Sequence, residues 1–414
     1  MNIDDHILVF NSGSSSLKFQ LFEADADAPA STLRGMVRGL GDEAICEWAY
    51  PGKQERNVIS ANDHTAAARH VLALLGQITD AGRSLLDTVT AIGHRIVHGG
   101  ESFFEPTLLT NETRAALEAL SPLAPLHNPP ALEVVRACRE RLPDVPMVAV
   151  FDTAFFHDLP DYARTYALPA EWTERSKAIR RYGFHGLAHR YMAERYRALR
   201  GTGAAPSRVI TLQLGHGCSV AAVRNGQAIE TSMGFTPLEG LIMATRPGDV
   251  DAGVVLHLLE HGGVTAEELN DGLNHRAGLL GLSGASADMQ ELLALEAQGH
   301  AGSHLAVEAF CHRARKYLGA YLAVLGGADA IIFGGGIGER APAIRARICN
   351  GQQWYGLQLD TQANESAQDV EARITTTASR LAAYVMPVDE ESLIARDTLN
   401  CLSAARTQDS HLSI

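Results

Sequence analysis

The residues Asn11 to Phe19, "NSGSSSLKF", set four serines, a glycine and a lysine between the apolar run "ILVF" and the alternating run "LKFQLF". A tight turn needs only one or two such residues. The surplus points to a backbone held open around an anion, with its amides, the hydroxyls of Ser14, Ser15 and Ser16, and the ammonium of Lys18 as donors. It is not a Walker loop, which needs G-x-x-x-x-G-K-[ST] opening a helix; a solvated hairpin turn is the plain alternative. A second stretch, Gly334 to Glu339, reads "GGGIGE" between an apolar strand and a helix. There the amides and the helix dipole favour phosphate. Its spacing is not G-x-G-x-x-G and no ribose-binding acid follows about 20 residues on, so it is not a dinucleotide fingerprint. Close helix-strand packing would also explain its glycines.

Between these two stretches lie single residues with chemical potential. Arg95, in "GHRIVHGG", sits at an expected strand end beside glycines, where a guanidinium can grip a carboxylate or phosphate with two parallel hydrogen bonds. Asp152 ends the apolar run "VPMVAVF", where a carboxylate would be desolvated without a partner, which packing does not explain. His185 and His189 in "RYGFHGLAH" have the i, i+4 spacing of a helical metal pair, yet no third ligand is visible. Arg246 and Asp249 in "ATRPGD" share a turn, with an exposed ion pair as the ordinary reading. Asp389, Glu390 and Glu391 stand at a helix start, where acids commonly just complement the dipole. Together these are the parts of a phosphoryl-transfer site: polar loops for phosphates, arginines for charge, a histidine, and carboxylates able to hold magnesium.

Strands alternate with helices around these residues. "ILVFN" and "LKFQLFE" read as a hairpin, and "VTAIGHRIVH" and "VPMVAVF" as further strands, the last buried on both faces. "TAAARHVLALLGQI" and "ALEVVRACRERL" carry apolar residues at helical spacing. After about residue 153 the pattern restarts with "RVITLQLGHGCSVAAVRNGQAIE", a strand, glycine loop, strand and "NG" hairpin signal. Placed at an offset of about 202 residues, "ILVFNSGSSSLKF" and "ITLQLGHGCSVAA" share one shape, which predicts a duplicated α/β domain. The expected halves are residues 1–152 closed by a C-terminal helix at 390–414, and residues 153–389, with the two loops on opposite walls of a cleft.

The chain has 414 residues, 46% of them apolar, and a formal net charge of −13, so any anionic ligand must be met by a local cluster of basic groups. Neither nucleic acid nor an anionic membrane is an expected partner. The N-terminus "MNIDDHILVF" lacks a signal-peptide pattern and no long uncharged apolar run occurs, so a cytoplasmic location is expected. Six scattered cysteines, with no C-x-x-C, predict free thiols.

The segments "LVFNSGSSSLKF", "GHRIVHGGE", "LAPLHNPP", "FDTAFF", "RYGFHG", "SMGFTPLEGLIMATRPGD", "GLSGASADM", "GGGIGER" and "DEESLIARD" resemble, in order and across nearly the whole chain, the acetate kinase family. The resemblance implies a duplicated ribonuclease H-like fold, as in actin-like ATPases, with the second half nucleotide-binding, and usually a homodimer. It implies the magnesium-dependent, reversible reaction of ATP with acetate to give acetyl phosphate and ADP. Asn11 and Glu390 match the metal positions, and Ser14, Ser16 and Lys18 the phosphate-side loop. Asp152, His185 and Arg246 match the catalytic positions. Arg95 matches the carboxylate-binding arginine, with Val97, Leu126, Phe184 and Pro237 forming the methyl pocket. The nucleotide side maps to Gln213, Leu214, Gly215, His216 and Gly217, to Asp288, Met289 and Gln290, and to Gly336, Ile337, Gly338, Glu339 and Arg340.

The departures concentrate on that nucleotide side. The family's "HLGNG" is "QLGHG" here, its "D-x-R" is Asp288-Met289-Gln290, its "GIGEN" ends in Arg340, and its "MGTRSGD" is "MATRPGD", with Ala244 and Pro247. Three alternatives to acetate kinase therefore stand: another donor such as a different nucleotide or pyrophosphate, a longer acyl acceptor such as propionate, and a nucleotide-gated binding protein of the actin-like fold.

Overall fold

The computed structural model describes residues 5–24, 30–176, 178–201, 203 and 205–412. It divides into two compact units, one holding the residues up to Ala154 and those from Asp389 on, the other Phe155–Val388.

In the first unit, β1 (His6–Ser12) pairs antiparallel with β2 (Ser16–Glu23), which brings Asn11 opposite Lys18. The sheet continues outward through β3 (Ser31–Arg38), β4 (Gly41–Tyr50) and β5 (Lys53–Ala61). Those three strands are an addition to the hairpin expected there. On its other edge β1 runs parallel to β6 (Val89–Ile96), setting Asn11 beside Arg95. Beyond β6 come β8 (Met147–Phe151), parallel to it, and the two-residue β7 (Thr107–Leu108). Every residue of β8 is buried, as an apolar parallel strand covered on both faces must be. Asp152 is the next residue, so the sheet register alone gathers Asn11, Lys18, Arg95 and Asp152 at one edge.

Helices cover this sheet. α1 (His64–Gln77) is N-capped by the Asp63 carboxylate, which accepts from the Ala66 amide, and buries Ala67, Ala68, Val71, Leu72 and Leu75. α2 (Asn128–Arg141) starts with prolines in its first turn, where a missing N–H does no harm. The chain returns at its C-terminal end as α9 (Glu390–Leu412). Gly93 lets it lie close on β6: a Cβ there would come within 2.5 Å of the Thr398 hydroxyl and 2.8 Å of Ile394.

The second unit repeats the pattern. β9 (Arg208–Leu214) pairs antiparallel with β10 (Cys218–Arg224), which pairs antiparallel with β11 (Gln227–Thr231). β9 also runs parallel to β12 (Ala330–Gly334), and β12 to β14 (Ala382–Val385), with the short β13 (Ala372–Arg373) at the edge. The inner order β3-β2-β1-β6-β8 of the first sheet therefore recurs as β11-β10-β9-β12-β14 in the second, three antiparallel strands followed by two parallel ones. The turn between β10 and β11 has Asn225 and Gly226 at φ 56° and 86°, the left-handed pair a two-residue hairpin needs. The helices used below are α3 (Gly186–Arg200), α4 (Ala252–Glu260), α5 (Met289–Ala297), α6 (Ala301–Leu325), α7 (Gly335–Arg340) and α8 (Pro342–Cys349). All six cysteines carry free thiols, and no helix among the described residues is long and apolar enough to cross a membrane.

Candidate functional site

In the first unit the chemistry-bearing residues form one hydrogen-bonded network. Asp152 is fully buried and receives Arg95 Nε at 3.1 Å, with Nη2 donating to the same carboxylate oxygen. Arg95 Nη1 donates to Asn11 Oδ1 at 3.1 Å and to the Ser12 carbonyl at 3.2 Å. Four of its five N–H groups are thus committed, so the fork expected to grip a ligand with two parallel bonds has one N–H to offer as it stands. Burial opposes the Arg95 charge, but Asp152 and Glu390 more than offset it and hold its pKa above the ordinary value. Asn11 Nδ2 donates to Glu390 Oε2 at 2.9 Å and to Glu391 Oε1 at 2.8 Å. Lys18 Nζ lies 3.6 Å from Glu391, whose field raises the ammonium pKa. Burial in turn raises the Glu391 carboxyl, against the pull of Lys18. The turn itself is closed by the Gly13 amide on the Ser16 carbonyl, 2.9 Å, and tied down by His64 Nε2 on the Gly13 carbonyl, 2.8 Å. Ser14 stays exposed and Ser16 half-buried at its rim.

In the second unit the matching turn, Gly215 to Gly217 between β9 and β10, meets two basic side chains. A Cβ on Gly217 would lie 2.8 Å from Arg246 Nη2 and 3.1 Å from the His185 ring, so only glycine leaves that space open. Arg246 Nη1 donates to the Pro237 carbonyl at 2.7 Å, and no carboxylate pairs with it among the described residues. Burial accordingly pushes its pKa down. The ion pair expected with Asp249 does not form; that carboxylate takes the Tyr317 hydroxyl at 2.9 Å and the Gly240 amide at 2.9 Å, and faces Arg313. His185 precedes α3 at φ 59°, a left-handed conformation rare for a residue with a Cβ and a common mark of functional constraint. Its Nδ1 lies 2.9 Å from Ser219 Oγ, which lies 2.7 Å from His189 Nε2, whose Nδ1 lies 2.7 Å from Thr211 Oγ1. The i, i+4 histidines are therefore linked through a serine rather than aimed at a shared point.

The other glycine turn abuts the first. Gly335, at φ 75°, brings the start of α7 against β9, where a Cβ would strike the Leu214 carbonyl at 2.7 Å, and the Cβ position of Gly215 is 4.0 Å from the Gly336 amide. Gln213, at the β9 end, packs its amide against Gly334 and Gly335, and its Oε1 is buried without a hydrogen-bond partner. His216 is exposed at the tip; desolvation and then Arg246 lower its pKa, and its carbonyl accepts from the Ala244 amide at 3.0 Å. Gly336 is exposed, Ile337 half-buried and Gly338 buried. Glu339 turns inward, accepting from the Gly335 amide at 2.8 Å and the Val388 amide at 3.1 Å, so its carboxylate braces the turn. Arg340 turns outward to Asp369 at 2.8 Å. Asp288 N-caps α5, Met289 is buried beneath it, and Gln290 is exposed.

Of the expected methyl-pocket residues, Val97 and Phe184 are buried, Pro237 is half-buried and Leu126 is 43% exposed. Val97 and Leu126 belong to the first unit, Phe184 and Pro237 to the second. Sequence reasoning named Glu391 beside Glu390 but gave it no separate role, and it passed over Ser219 and Thr211, two small polar residues in apolar strands. It also passed over Arg345 on α8. That side chain is fully buried and donates to the carbonyls of Gly338, Glu339, Asn364 and Ala367 and to Asn364 Oδ1, at 2.6 to 3.0 Å. It closes the C-terminal end of α7, where a cation is favourable.

A family model described as the acetokinase family matches residues 6–396. A protein of Solibacter usitatus (strain Ellin6076) named acetate kinase is 46% identical over 408 residues, covering 96% of this chain and 98% of its own length. Among solved structures, Porphyromonas gingivalis acetate kinase superposes with a TM-score of 0.86 at 38% identity, over 96% of this chain and 100% of that one. A propionate kinase from Francisella tularensis subsp. tularensis SCHU S4 gives a TM-score of 0.87 at 34% identity, over 96% and 99%. The duplicated five-strand pattern is accordingly the duplicated actin-like fold of those kinases. With a match that runs through both glycine turns and every residue of the networks around them, this chain belongs to the acetokinase family.

Proposed function

We propose that the chain is an acetate kinase, moving the γ-phosphoryl group of ATP to acetate to give acetyl phosphate and ADP, and back. The observation that carries this reading is Arg246: a half-buried guanidinium with one carbonyl partner, converging with His185 on the open face of Gly217. Such a site lacks an anion, and a transferring phosphoryl group supplies one. Acetate is already anionic, so no strong base is required to make the nucleophile; the obstacle is repulsion between two anions. Arg246 and His185 reduce it by meeting the charge on the phosphoryl oxygens with preorganised donors. Arg95 offers its remaining N–H to the acetate carboxylate, and Asp152 keeps that guanidinium in place. The glycine turns, with Gly336 exposed at the start of α7, hold the remaining phosphates.

The residues fit a magnesium ion. The Glu390 carboxylate is a hard oxygen donor and Asn11 beside it carries an amide oxygen, now accepting from Arg95; magnesium commonly takes one or two carboxylates and completes its shell with water and substrate phosphate. When bound, the ion neutralises phosphate charge as the phosphoryl group moves.

ATP is the proposed donor because the glycines of both turns remain and two of the altered residues, Gln290 and Arg340, are exposed. Gln213 and His216 favour testing others. Purified protein given acetate with ATP, GTP or pyrophosphate, with acyl phosphate trapped by hydroxylamine, should turn over with ATP far above the rest. Turnover with pyrophosphate alone would replace the donor, and none with any donor would favour the binding-protein reading. Acetate should be preferred and propionate tolerated, since one methylene is worth about 1 to 3 kcal/mol. We also propose a homodimer and a cytoplasmic location. For the first, α4 supports the reading: none of its residues is buried, and Val254, Leu256 and Leu259 are 49%, 55% and 40% exposed. Light scattering at micromolar concentration should give twice the chain mass, and Leu256→Asp the mass of one chain.

A further inference from the structure

The line Thr211, His189, Ser219, His185 lies wholly inside the second unit, with links of 2.7, 2.7 and 2.9 Å. Thr211, His189 and Ser219 are all fully buried. Each link needs one hydrogen, and the donor inventory leaves three ways to place them. Burial pushes the His189 pKa far below the usual imidazole range, so that ring is neutral, with one N–H and one lone pair.

If the hydrogens ran inward, His185 would donate from Nδ1 to Ser219, Ser219 to His189 Nε2, and His189 from Nδ1 to Thr211. The Thr211 hydroxyl hydrogen would then need another acceptor, and among the described residues its only hydrogen-bond partner is His189. A buried donor without an acceptor is the costly case. If both rings donated to Ser219, its own hydrogen would be stranded instead, since among the described residues those rings are its only hydrogen-bond partners. Running outward, every buried group is satisfied: Thr211 O–H donates to His189 Nδ1, His189 Nε2–H to Ser219 Oγ, and Ser219 O–H to His185 Nδ1. The last ring is then left with its hydrogen on Nε2, the atom 3.1 Å from the open Cβ position of Gly217.

We infer that Thr211, His189 and Ser219 are positioning residues that hold His185 as the neutral Nε2–H tautomer, so that it meets the phosphoryl group as a hydrogen-bond donor and Arg246 supplies the full charge. This rests on the reading of the site as a phosphoryl-transfer centre. Protonating His185 at Nδ1 would either reverse the whole line and strand the Thr211 hydrogen, or leave Ser219 accepting from both rings with its own hydrogen stranded; by fixing His189 as the donor to Ser219, the buried threonine acts on the ring from two residues away.

Long-range proton–nitrogen NMR of the full chain, with His185 assigned by comparison with His185→Gln, should find the hydrogen on Nε2 at pH 7. Thr211→Val keeps the shape, removes the anchor and should mix the two tautomers. Its kcat should fall roughly tenfold, less than when a catalytic imidazole is forced wholly into the wrong tautomer. The KM values for ATP and acetate should stay within about twofold, and Thr211→Ser should restore both spectrum and rate. The inference is overturned by a wild-type ring carrying its hydrogen on Nδ1 or on both nitrogens. A Thr211→Val protein with unchanged tautomer, or with mixed tautomers and unchanged kcat, overturns it too. If Thr211→Val does not fold, the wild-type spectrum and Ser219→Ala decide the same question. A wild-type protein inactive with every donor would remove the functional reading, while the spectrum would still test the line of hydrogen bonds.

Discussion

In the first unit the turn after β1 is surrounded by charges that already have partners: Arg95 on Asp152, Lys18 on Glu391, and Asn11 bridging Glu390 and Glu391. In the second, the turn after β9 meets Arg246 with only a carbonyl, beside the line of His185, Ser219 and the buried His189. One strand-turn-strand topology therefore carries two opposite electrostatic states. The first is balanced internally and suits a hydrated cation and a small carboxylate. The second is short of negative charge and suits phosphate. The scaffold occurs twice, and the side chains brought to each turn set the difference.

The contrast is broken most severely by removing the unpaired cation. Arg246→Ala should lower turnover about a thousandfold with the circular-dichroism spectrum unchanged, because a preorganised donor to the phosphoryl oxygens is lost; turnover within tenfold of wild type would refute its role. Asp152→Ala attacks the balanced side. It leaves Arg95 buried without its acid, and urea unfolding should show a loss of about 3 to 5 kcal/mol as well as lost activity. Filling the space that separates the turn from its bases should act on rate alone: Gly217→Ala forces Arg246 or His185 aside and should reduce kcat about a hundredfold with the KM for acetate little changed.

Acid should also act through the buried histidines. Burial pushes His94 to about 3 and His98 to about 4 in the folded first unit. Below the unfolded value of about 6.5 the unfolded chain binds protons at both positions that the folded one refuses. Stability is therefore complete above pH 6.5 and falls as pH falls, by about 2 kcal/mol per histidine at pH 5. His94→Phe, stacked on Phe10 as the imidazole is, should flatten that slope in a pH series of thermal melts. The smallest change is expected from restoring the family pattern: Gln213→His with His216→Asn should move the KM for ATP by less than about tenfold and leave the acetate KM unaltered.

Much of this was legible in the chain. Apolar runs ending in Asp152 and in Gly334 marked parallel strands, and the two polar turns at a constant offset marked the duplication, because strand burial and turn chemistry leave local signatures. Three strands between residues 31 and 61 were not, since their exposed faces carry charges and their pairing is set by the neighbouring strand. Nor was the fate of Glu339: a carboxylate that follows a glycine turn reads the same whether it meets a ligand or, as here, its own backbone amides.

What the sequence determined by itself was therefore the type and order of the chemical groups: which residues can donate, carry charge or leave space. The tertiary structure decided which of them are spent on each other. Arg95 gives up four N–H groups to Asp152, Asn11 and Ser12, whereas Arg246 gives up one, and nothing local to either arginine distinguishes them. Pairing depends on the field and hydrogen-bond partners brought in from distant strands, and these exist only once the sheets have closed.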